Sequence, residues 1–119
     1  MGEYKTSLVI GGTRGIGSVV AEVLRDRGDQ VITLSRREKS DENHISVDLS
    51  SEKQISQMSK KMGKKPINNL IFCHRYRDDK WRKEFQISLD AIHQIIENLN
   101  KNLSDNAAIV IIGSNASRF

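Results

Sequence analysis

The sequence predicts an α/β fold built on a doubly wound, parallel, five-stranded sheet. Short apolar runs alternate with segments in which apolar residues recur every three or four positions, which indicates strands alternating with helices. The runs are apolar on both faces, as a sheet covered by helices on both sides requires. A glycine-rich turn follows the first run directly, and with right-handed crossovers it predicts the strand order 3-2-1-4-5.

The composition is that of one ordinary folded domain. The chain has 119 residues, of which 37% are hydrophobic and 29% charged, and this excludes a disordered or fibrous protein. Its single cysteine, Cys73, excludes an internal disulfide framework and a cysteine-rich zinc site. No apolar run approaches the ~20 residues that span a bilayer. The N-terminus has an acidic residue at Glu3 and no long apolar core of a signal peptide. We therefore expect a cytoplasmic protein without a membrane partner.

The net charge of +4 permits an anionic partner without identifying it. Lysines cluster at residues 60–65, near the end of a predicted helix. The helix dipole alone favours lysines at that place. The sequence has no aromatic residues interleaved with this cluster and no known nucleic-acid-binding motif, so we expect no nucleic-acid partner.

Residues 8–34 are predicted to form the first strand–helix–strand unit. Residues 8–10 end a buried strand, and residues 15–27 form a helix with apolar positions at helical spacing. Gly28 ends that helix, as a glycine after the last turn often does. The second strand then comprises residues 31–34.

The segment after the second strand predicts a short third strand and a capped helix. Residues 36–43 are polar and too short for a secure helix, whereas residues 45–47 are predicted to form a strand. Residues 51–54 (Ser-Glu-Lys-Gln) have the spacing of a capping box. They open a predicted helix that continues to residue 62, with Gly63 after it.

The last part of the sequence predicts a strand, a long helix and another strand. The fourth strand comprises residues 70–73, after Pro66, and the fifth comprises residues 107–112, before Gly113 and Ser114. Between them lies a long amphipathic helix that packs one stripe against the sheet. The apolar residues of that stripe are Trp81, Phe85, Leu89, Ile92, Ile96, Leu99 and Leu103.

The most informative segment is the glycine turn at residues 11–17, between the first strand and the first helix. Glycine permits the positive φ of a tight turn, and a backbone without side chains lets a pyrophosphate approach closely. The free N–H groups and the dipole at the helix start then bind the anion. The turn therefore predicts dinucleotide binding. The alternative is a glycine-rich turn that serves close packing only.

Gly11, Gly15 and Gly17 have the spacing G-x-x-x-G-x-G, which resembles the turn T-G-x-x-x-G-x-G of the short-chain dehydrogenase/reductase (SDR) family. Ile10 stands where the family has threonine. The resemblance extends along the whole chain and covers the N-terminal half of the family's Rossmann-like fold. It implies that the turn holds a cofactor through Gly11, Thr13, Arg14, Gly15, Ile16 and Gly17.

The end of the second strand points to the kind of dinucleotide. An acidic residue usually stands there when the ribose 2′-hydroxyl of NAD is bound. This sequence has Ser35, Arg36 and Arg37, and arginine pairs with a 2′-phosphate through its fork of donors. In the family pattern Arg14 also reaches that phosphate. We therefore predict NADP rather than NAD; the alternative for the two arginines after Ser35 is a solvated charged loop.

Two later segments complete the cofactor site that the resemblance implies. Asp48 and Leu49 match the family's aspartate after the third strand, which contacts the adenine ring; a turn or helix-capping aspartate is the alternative. Residues 72–75 (Phe-Cys-His-Arg) stand where the family has N-N-A-G, so only backbone contacts carry over. We place His74 at the cofactor cleft as a loop histidine, with a catalytic role as the alternative, and Cys73 as a small apolar side chain rather than a nucleophile.

The resemblance implies one catalytic residue in this chain. Residues 109–114 resemble the stretch that ends in the family's catalytic serine, so Ser114 would orient a substrate carbonyl. Ser88 stands where the family has a catalytic asparagine. The family's Tyr-x-x-x-Lys pair, in which the lysine lowers the tyrosine pKa, lies on a helix after the fifth strand, and the sequence ends before it. Tyr76 and Lys80 have that spacing after the fourth strand, which we interpret as coincidence.

Together these features predict the N-terminal part of an NADP-dependent SDR oxidoreductase, with residues 1–119 forming the cofactor-binding portion of a larger domain. The resemblance implies hydride transfer with a small carbonyl or alcohol substrate, no metal, and a homo-oligomer when the full fold is present. We expect the chain alone to be inactive, with its fifth strand as an unpaired edge and apolar surface exposed. The alternative is a non-catalytic NADP-binding sensor or partner-binding module, favoured by residues 72–75 and Ser88.

Overall fold

A five-stranded parallel sheet organises the chain in a computed structural model, which describes residues 5–11, 15–35, 43–49, 51–75 and 81–114. The strands are β1 (Thr6–Ile10), β2 (Gln30–Ser35), β3 (His44–Ser46), β4 (Ile67–Arg75) and β5 (Leu103–Ser114). The helices are α1 (Gly15–Asp26), α2 (Glu52–Met62) and α3 (Trp81–Leu99), and a 3-10 turn follows at Asn100–Asn102. The strand order is β3-β2-β1-β4-β5, which confirms the predicted fold class and topology.

The alternation of side chains along each buried strand divides the core between the two faces of the sheet. Leu8 and Ile10 on β1 lie in a large cluster with residues of α2 and α3, whereas Val9 lies in a smaller cluster with residues of α1. All three side chains are fully buried, because helices cover both faces. The sheet is therefore doubly wound, with two helices on one face and one on the other among the described elements.

Local sequence signals set the ends of α1 and α2. Gly28 has φ +100° after α1, and its N–H donates to the carbonyl of Arg25 at 2.9 Å. Ser51 is the N-cap of α2, because its side chain accepts a hydrogen bond from the N–H of Gln54 at 3.2 Å. Gly63 has φ +59° at the other end of α2. These three residues confirm the predicted start and stop signals.

The junction between α3 and β5 differs from the prediction. We expected Leu103 to continue the helical stripe, but α3 ends at Leu99 and β5 begins at Leu103. Asn102 explains the difference: its buried Nδ2 donates to the carbonyl oxygens of Gly63 (2.9 Å) and Lys65 (2.8 Å). These tertiary bonds fix the backbone in a 3-10 turn, and Leu103 joins the core as a strand residue.

The apolar stripe of α3 is also rotated from the predicted one. Leu89 is 44% exposed, contrary to its place in that stripe, whereas Ala91 and Ile95 are buried although the spacing did not mark them. Ile92 and Leu99 are buried as predicted. The side chains of residues 81–88, including Trp81 and Phe85 of the stripe, lie outside the described ones.

Apolar surface is exposed along β5. Among the described strands β5 is an edge, paired with β4 on one side. Ile109, Val110 and Ile111 are each more than 40% exposed, as the expectation of an uncovered fifth strand requires. Within the described residues, no helix combines the length and apolarity needed to cross a membrane.

Candidate dinucleotide-binding site

The carboxyl ends of the parallel strands form one edge of the sheet, and those predicted cofactor residues that the structure describes lie at or next to it. β1 ends at Ile10, β2 at Ser35, β4 at Arg75 and β5 at Ser114. The N–H of Gly11 donates to the carbonyl of Leu34 at 2.7 Å, so the turn after β1 is tied to the end of β2. Ligands of open α/β sheets bind outside this edge, where connections leave in opposite directions.

Gly11 occupies a position that tolerates no side chain. Its φ is +83°, and a Cβ built on it would overlap the carbonyl oxygen of Cys73 at the end of β4. Close packing with β4 is therefore one reason for this glycine. The same packing holds the end of β1 against the end of β4.

The N-terminus of α1 supplies the other half of the glycine turn. α1 begins at Gly15, includes Ile16, and buries Gly17. The first N–H groups of a helix lack intrahelical partners and carry the positive end of its dipole, which suits a pyrophosphate. Thr13 and Arg14, which we also predicted to line the cofactor, lie outside the described residues.

β2 ends in Ser35, which is partly buried. Its carbonyl accepts a hydrogen bond from the N–H of Val47 at 2.8 Å, so β3 fixes this end of β2. The Oγ of Ser35 lies 3.4 Å from Nε2 of His44. Arg36 and Arg37 lie outside the described residues, so their part in the site stays a prediction.

The turn after β3 contains Asp48 and Leu49. Asp48 is not the N-cap of α2, because Ser51 has that place. Its N–H donates to Oε1 of Gln54 at 2.8 Å, and its carbonyl accepts from the N–H of Ser51 at 3.0 Å. Leu49 packs partly buried against the larger core cluster. The backbone of the predicted adenine segment is therefore held to the first turn of α2.

Gln54 is a residue of this site that sequence analysis missed. In a capping box the side chain at this position returns to the N–H of the N-cap residue, which here is Ser51. Instead the side chain reaches three residues further back, to Asp48. The glutamine in the box was the signal, and only the folded turn shows which N–H group it serves.

The end of β4 corrects one expectation and supports another. His74 belongs to β4 and pairs in register with Gly113, so it is a strand residue and not the loop histidine that we expected. The side chain of Cys73 packs partly buried against the cluster that contains Val9. Burial raises the pKa of its thiol, which favours an apolar role over a nucleophilic one.

The predicted catalytic residues are placed only through their backbone. Ser114 ends β5 and pairs in register with Arg75 of β4, so it lies at the same sheet edge as the glycine turn. Ser88 lies within α3. The side chains of both serines, and the whole of Tyr76 and Lys80, fall outside the described part of the structure. No group of three or more potential metal ligands occurs among the described residues.

The opposite edge of the sheet holds a network of side-chain hydrogen bonds. Asp29, whose side chain is only 6% exposed, accepts from Arg27 at 2.6 Å and from Ser7 at 3.0 Å. Asn69 in turn donates to Ser7 at 3.0 Å. The hydrogen bond from Arg27, together with that from Ser7, outweighs burial and holds the pKa of Asp29 below its ordinary value.

Comparison with known proteins assigns the family. The model of the NAD dependent epimerase/dehydratase family matches residues 7–116. No curated protein is significantly similar in sequence to the chain.

Solved structures with the same fold include SDR proteins. A short chain dehydrogenase family protein from Francisella tularensis subsp. tularensis SCHU S4 has a TM-score of 0.80 and 22% identity, over 98% of this chain and 55% of its own. The RhlG/NADP active-site complex of Pseudomonas aeruginosa has a TM-score of 0.73 and 23% identity, over 92% and 52%. An SDR-family oxidoreductase from Brucella ovis, in complex with a partially ordered NAD, has a TM-score of 0.69 and 23% identity, over 84% and 58%.

This chain spans little more than half the length of those structures, and what it shares with them is the N-terminal part of their fold. The family model, in contrast, matches almost the whole chain, including the glycine turn and the ends of β2 and β4. The chain therefore belongs to the NAD-dependent epimerase/dehydratase family, and its fold is that of the N-terminal portion of the short-chain dehydrogenases/reductases.

Proposed function

We propose that residues 1–119 are the NADP-binding part of an SDR oxidoreductase that transfers hydride between nicotinamide and a small carbonyl or alcohol substrate. One observation carries the proposal. Gly11, which packs against the Cys73 carbonyl, and the start of α1 at Gly15 both follow β1 at the carboxyl edge of the sheet, beside a strand that ends in Ser35 and not in a carboxylate. This edge offers anion-binding N–H groups and a polar, uncharged side chain to a dinucleotide.

The residues present fit such a cofactor. Gly11 keeps the turn after β1 packed against the end of β4, and the first N–H groups of α1 suit a pyrophosphate. In our proposal Arg14, Arg36 and Arg37 pair with the 2′-phosphate next to Ser35. Among the similar structures, one holds NADP and another holds NAD, so the comparison does not decide between the two cofactors. The proposed preference for NADP therefore rests on the basic residues after β2.

The adenine and nicotinamide ends of the cofactor have separate residues. We assign the adenine ring to the turn of Asp48 and Leu49, whose backbone is fixed to α2 by Gln54. Cys73 and His74, at the end of β4, lie on the side assigned to nicotinamide. The cofactor supplies the hydride acceptor or donor, and this chain's own residues bind and orient it.

Ser114 is the one residue of this chain to which we give a catalytic role. At the end of β5 it would donate a hydrogen bond to the substrate oxygen, while the Tyr-x-x-x-Lys pair comes from outside residues 1–119. The chain alone would then bind NADP without turnover. The longer protein would act in the cytoplasm as a homo-oligomer.

A non-catalytic NADP-binding sensor is the second candidate, and Phe72 favours it. Phe72 begins the stretch that replaces the N-N-A-G of the family, and it is completely buried in the larger core cluster. A buried phenyl ring offers no polar group to a cofactor or to a proton relay. NADPH oxidation by the protein expressed with its native downstream sequence, across a panel of carbonyl compounds, separates an enzyme from a sensor.

Calorimetric titration of the 119-residue chain with NADP⁺ and with NAD⁺ tests the cofactor assignment. We expect NADP⁺ to bind at least about tenfold more tightly, because each charge-assisted hydrogen bond to the 2′-phosphate contributes about 1.5–3 kcal/mol. Equal affinities, or tighter binding of NAD⁺, would contradict the proposal. Lowering the salt concentration should widen the difference, since these contacts are electrostatic.

A further inference from the structure

The beginnings of β1, β4 and β5 surround a polar cavity that the proposed function leaves without a role. Parallel strands begin at one side of the sheet, so this cavity lies at the amino edge, opposite the edge at which the strands end. Its volume is about 320 Å³, at the lower end of the ~300–1,000 Å³ typical of small-molecule sites. The residues that line it are all polar or charged: Lys5, Asn68, Asn69, Ser104, Asp105 and Asn106.

An irregular segment of β5 forms one wall of this amino-edge cavity. Ile67 of β4 pairs with Leu103 of β5. Two positions further along β4, Asn69 pairs with Ala108, which lies five positions further along β5. Residues 104–107 therefore bulge from the strand, and three of them line the cavity. Bulges redirect side chains and occur preferentially at sheet edges and beside active sites, so this one is a feature to explain and not a defect.

The hydrogen bonds of the two asparagines on β4 fix the direction of their amide groups. Asn68 Oδ1 accepts from the N–H of Thr6 at 2.9 Å, so its Nδ2 is the atom that donates to Oγ of Ser104 at 3.4 Å. Asn69 Nδ2 donates to Ser7 at 3.0 Å, because the hydroxyl of Ser7 gives its own hydrogen to a carboxylate. One N–H of each amide, Oδ1 of Asn69 and the hydroxyl hydrogen of Ser104 are left without a partner among the described residues.

The cavity also carries one charge of each sign. Lys5 precedes β1 and Asp105 lies in the bulge, and both residues are exposed. Neither forms an ion pair with another residue in the described part of the chain. An ammonium group offers three donors and a carboxylate offers only acceptors, so the two residues present opposite polarity to a bound molecule. Asn106, next to Asp105, adds an exposed amide with both kinds of group.

This lining selects the chemistry of a ligand. An apolar molecule would leave the polar groups unpaired, and a simple anion or cation would meet one charge of its own sign. A compact zwitterion pairs with both charges. Its carboxylate can bind Lys5 and accept from the asparagine N–H groups and from Ser104. Its ammonium can bind Asp105 and donate to Oδ1 of Asn69.

We propose that the amino-edge cavity binds a compact zwitterion of the α-amino-acid class. Exposed ion pairs contribute little, so the dissociation constant is on the order of 1 mM. The site does not depend on the proposed function, because the dinucleotide is assigned to the opposite edge of the sheet.

Amide NMR of the isotope-labelled 119-residue chain during titration with L-alanine tests the site. We expect saturable shifts at Asn68, Asn69 and Ser104, with unchanged signals at Gly11 and Gly17. Propionate is L-alanine without its ammonium group, and ethylammonium is L-alanine without its carboxylate. Each should bind at least about fivefold more weakly, because it loses one of the two charged contacts. Glycerol, a polyol without charge, should bind more weakly still.

Two substitutions at exposed positions separate the charges. Asp105→Asn should weaken L-alanine binding about five- to tenfold and remove the preference for L-alanine over propionate. Lys5→Gln should remove the preference for L-alanine over ethylammonium in the same way. Asp26→Asn, at an exposed position at the end of α1, is the control and should change neither affinity. Thermal unfolding of each variant reports on the fold.

The absence of saturable binding of L-alanine to the wild-type chain would overturn the proposal. Propionate, ethylammonium or glycerol binding as tightly as L-alanine would do the same, since one charge or hydroxyl groups alone would then suffice. An Asp105→Asn variant that keeps its preference for L-alanine over propionate would also contradict it, as would an equal loss in Asp26→Asn. All of these results are independent of NADP⁺ affinity, which tests the proposed function separately.

Discussion

The two edges of the sheet are held together by different kinds of contact. At the amino edge, side chains do the bonding: Asp29 accepts from Arg27 and Ser7, and Asn69 donates to Ser7. At the carboxyl edge, backbone bonds such as Gly11 N–H to the Leu34 carbonyl occur beside side-chain contacts of His44 with Ser35 and of Gln54 with the N–H of Asp48. The described side chains of the amino edge bond to one another, whereas the turn at Gly11 approaches the end of β4 through backbone alone.

This difference follows from what each edge has to do. A parallel sheet brings all its strand beginnings to one side, where α1 has just ended and its connection returns to β2 through Asp29. A partly exposed Arg27 and a nearly buried Asp29 suit that connection without preparing a ligand site. At the other side the same topology places a helix N-terminus above strand ends, which is what an anionic ligand needs.

Gly11→Ala should break the carboxyl edge and have the largest effect. The substitution forces a side chain into a positive φ and against the Cys73 carbonyl, so we expect a loss of ~2 kcal/mol or more in the free energy of unfolding. Dinucleotide binding should fall at least about tenfold, since 1.4 kcal/mol of lost binding energy corresponds to that factor. Urea unfolding and calorimetry measure the two effects.

Gly28→Ala is the matched control for that prediction. Gly28 also has a positive φ, +100°, but a Cβ there meets nothing within 4 Å. We expect a smaller loss of about 1 kcal/mol in the free energy of unfolding and unchanged nucleotide affinity. If both glycine variants lost stability and binding equally, the contact with Cys73 would not be the cause.

Asp29→Asn should weaken the amino edge and leave the carboxyl edge intact. The variant loses the charge that Arg27 and Ser7 stabilise, so we expect a loss of about 1 kcal/mol in unfolding free energy at pH 7 and unchanged NADP⁺ affinity. The exposed Asp105→Asn should change neither. Any loss of NADP⁺ affinity in Asp29→Asn that exceeds its loss of stability would contradict the separation of the two edges.

The effect of Asp29 should also depend on pH. Its pKa is lowered in the folded protein, so its contribution to stability is complete above the pKa of the unfolded chain, about 4. The contribution is lost as the pH falls through the lower, folded-state value. Urea unfolding at successive pH values should therefore show wild type and Asp29→Asn converging in acid; a difference that is constant or grows would contradict this account.

Gln54→Ala should have the smallest effect on stability and on nucleotide affinity, and it tests whether the turn of Asp48 and Leu49 contributes to binding. Its Oε1 accepts from the N–H of Asp48, and its loss should weaken NADP⁺ binding about two- to threefold, with at most about 0.5 kcal/mol lost in unfolding free energy. Gln57→Ala, at another exposed position of α2, is the control. Identical affinities for the two variants would remove Gln54 from the site.

Local signals made most of the fold predictable. The turn at Gly11, the stop at Gly28 and the cap at Ser51 depend on residues close in sequence, and the structure has all three where they were predicted. The strand order followed from the position of the glycine turn and the hand of the crossovers. These features need no knowledge of distant contacts.

The failures of prediction come from contacts between distant residues. The side chain of Asn102 donates to the carbonyl oxygens of Gly63 and Lys65, almost forty positions earlier in the sequence, and α3 ends just before it. The residues next to Asn102 in the sequence give no signal for these bonds. No sequence signal indicated that His44 would be buried against β2, or that the partly buried Asp29 would accept hydrogen bonds from Ser7 on β1 and from Arg27. The prediction that Leu89 would be buried was wrong for the same reason, because packing against α2 decides which face of α3 is covered.

The candidate site was predictable in its backbone more than in its side chains. Gly11, the start of α1 at Gly15 and the end of β2 at Ser35 lie close to their predicted places, whereas β4 continues through His74. The roles of Arg14, Arg36, Arg37 and Ser114 stay predictions, because long side chains and a catalytic hydroxyl acquire their geometry from the ligand and from the rest of the fold.

We expect the dinucleotide to bind at the carboxyl edge and to leave the amino edge untouched. Backbone amide NMR of the isotope-labelled chain during titration with NADP⁺ tests it most directly. We predict shifts at Gly11, Gly17 and Ser35 together with unchanged signals at Ser7 and Asn69. Shifts centred on Ser7 and Asn69, or no shifts at saturating NADP⁺, would contradict it.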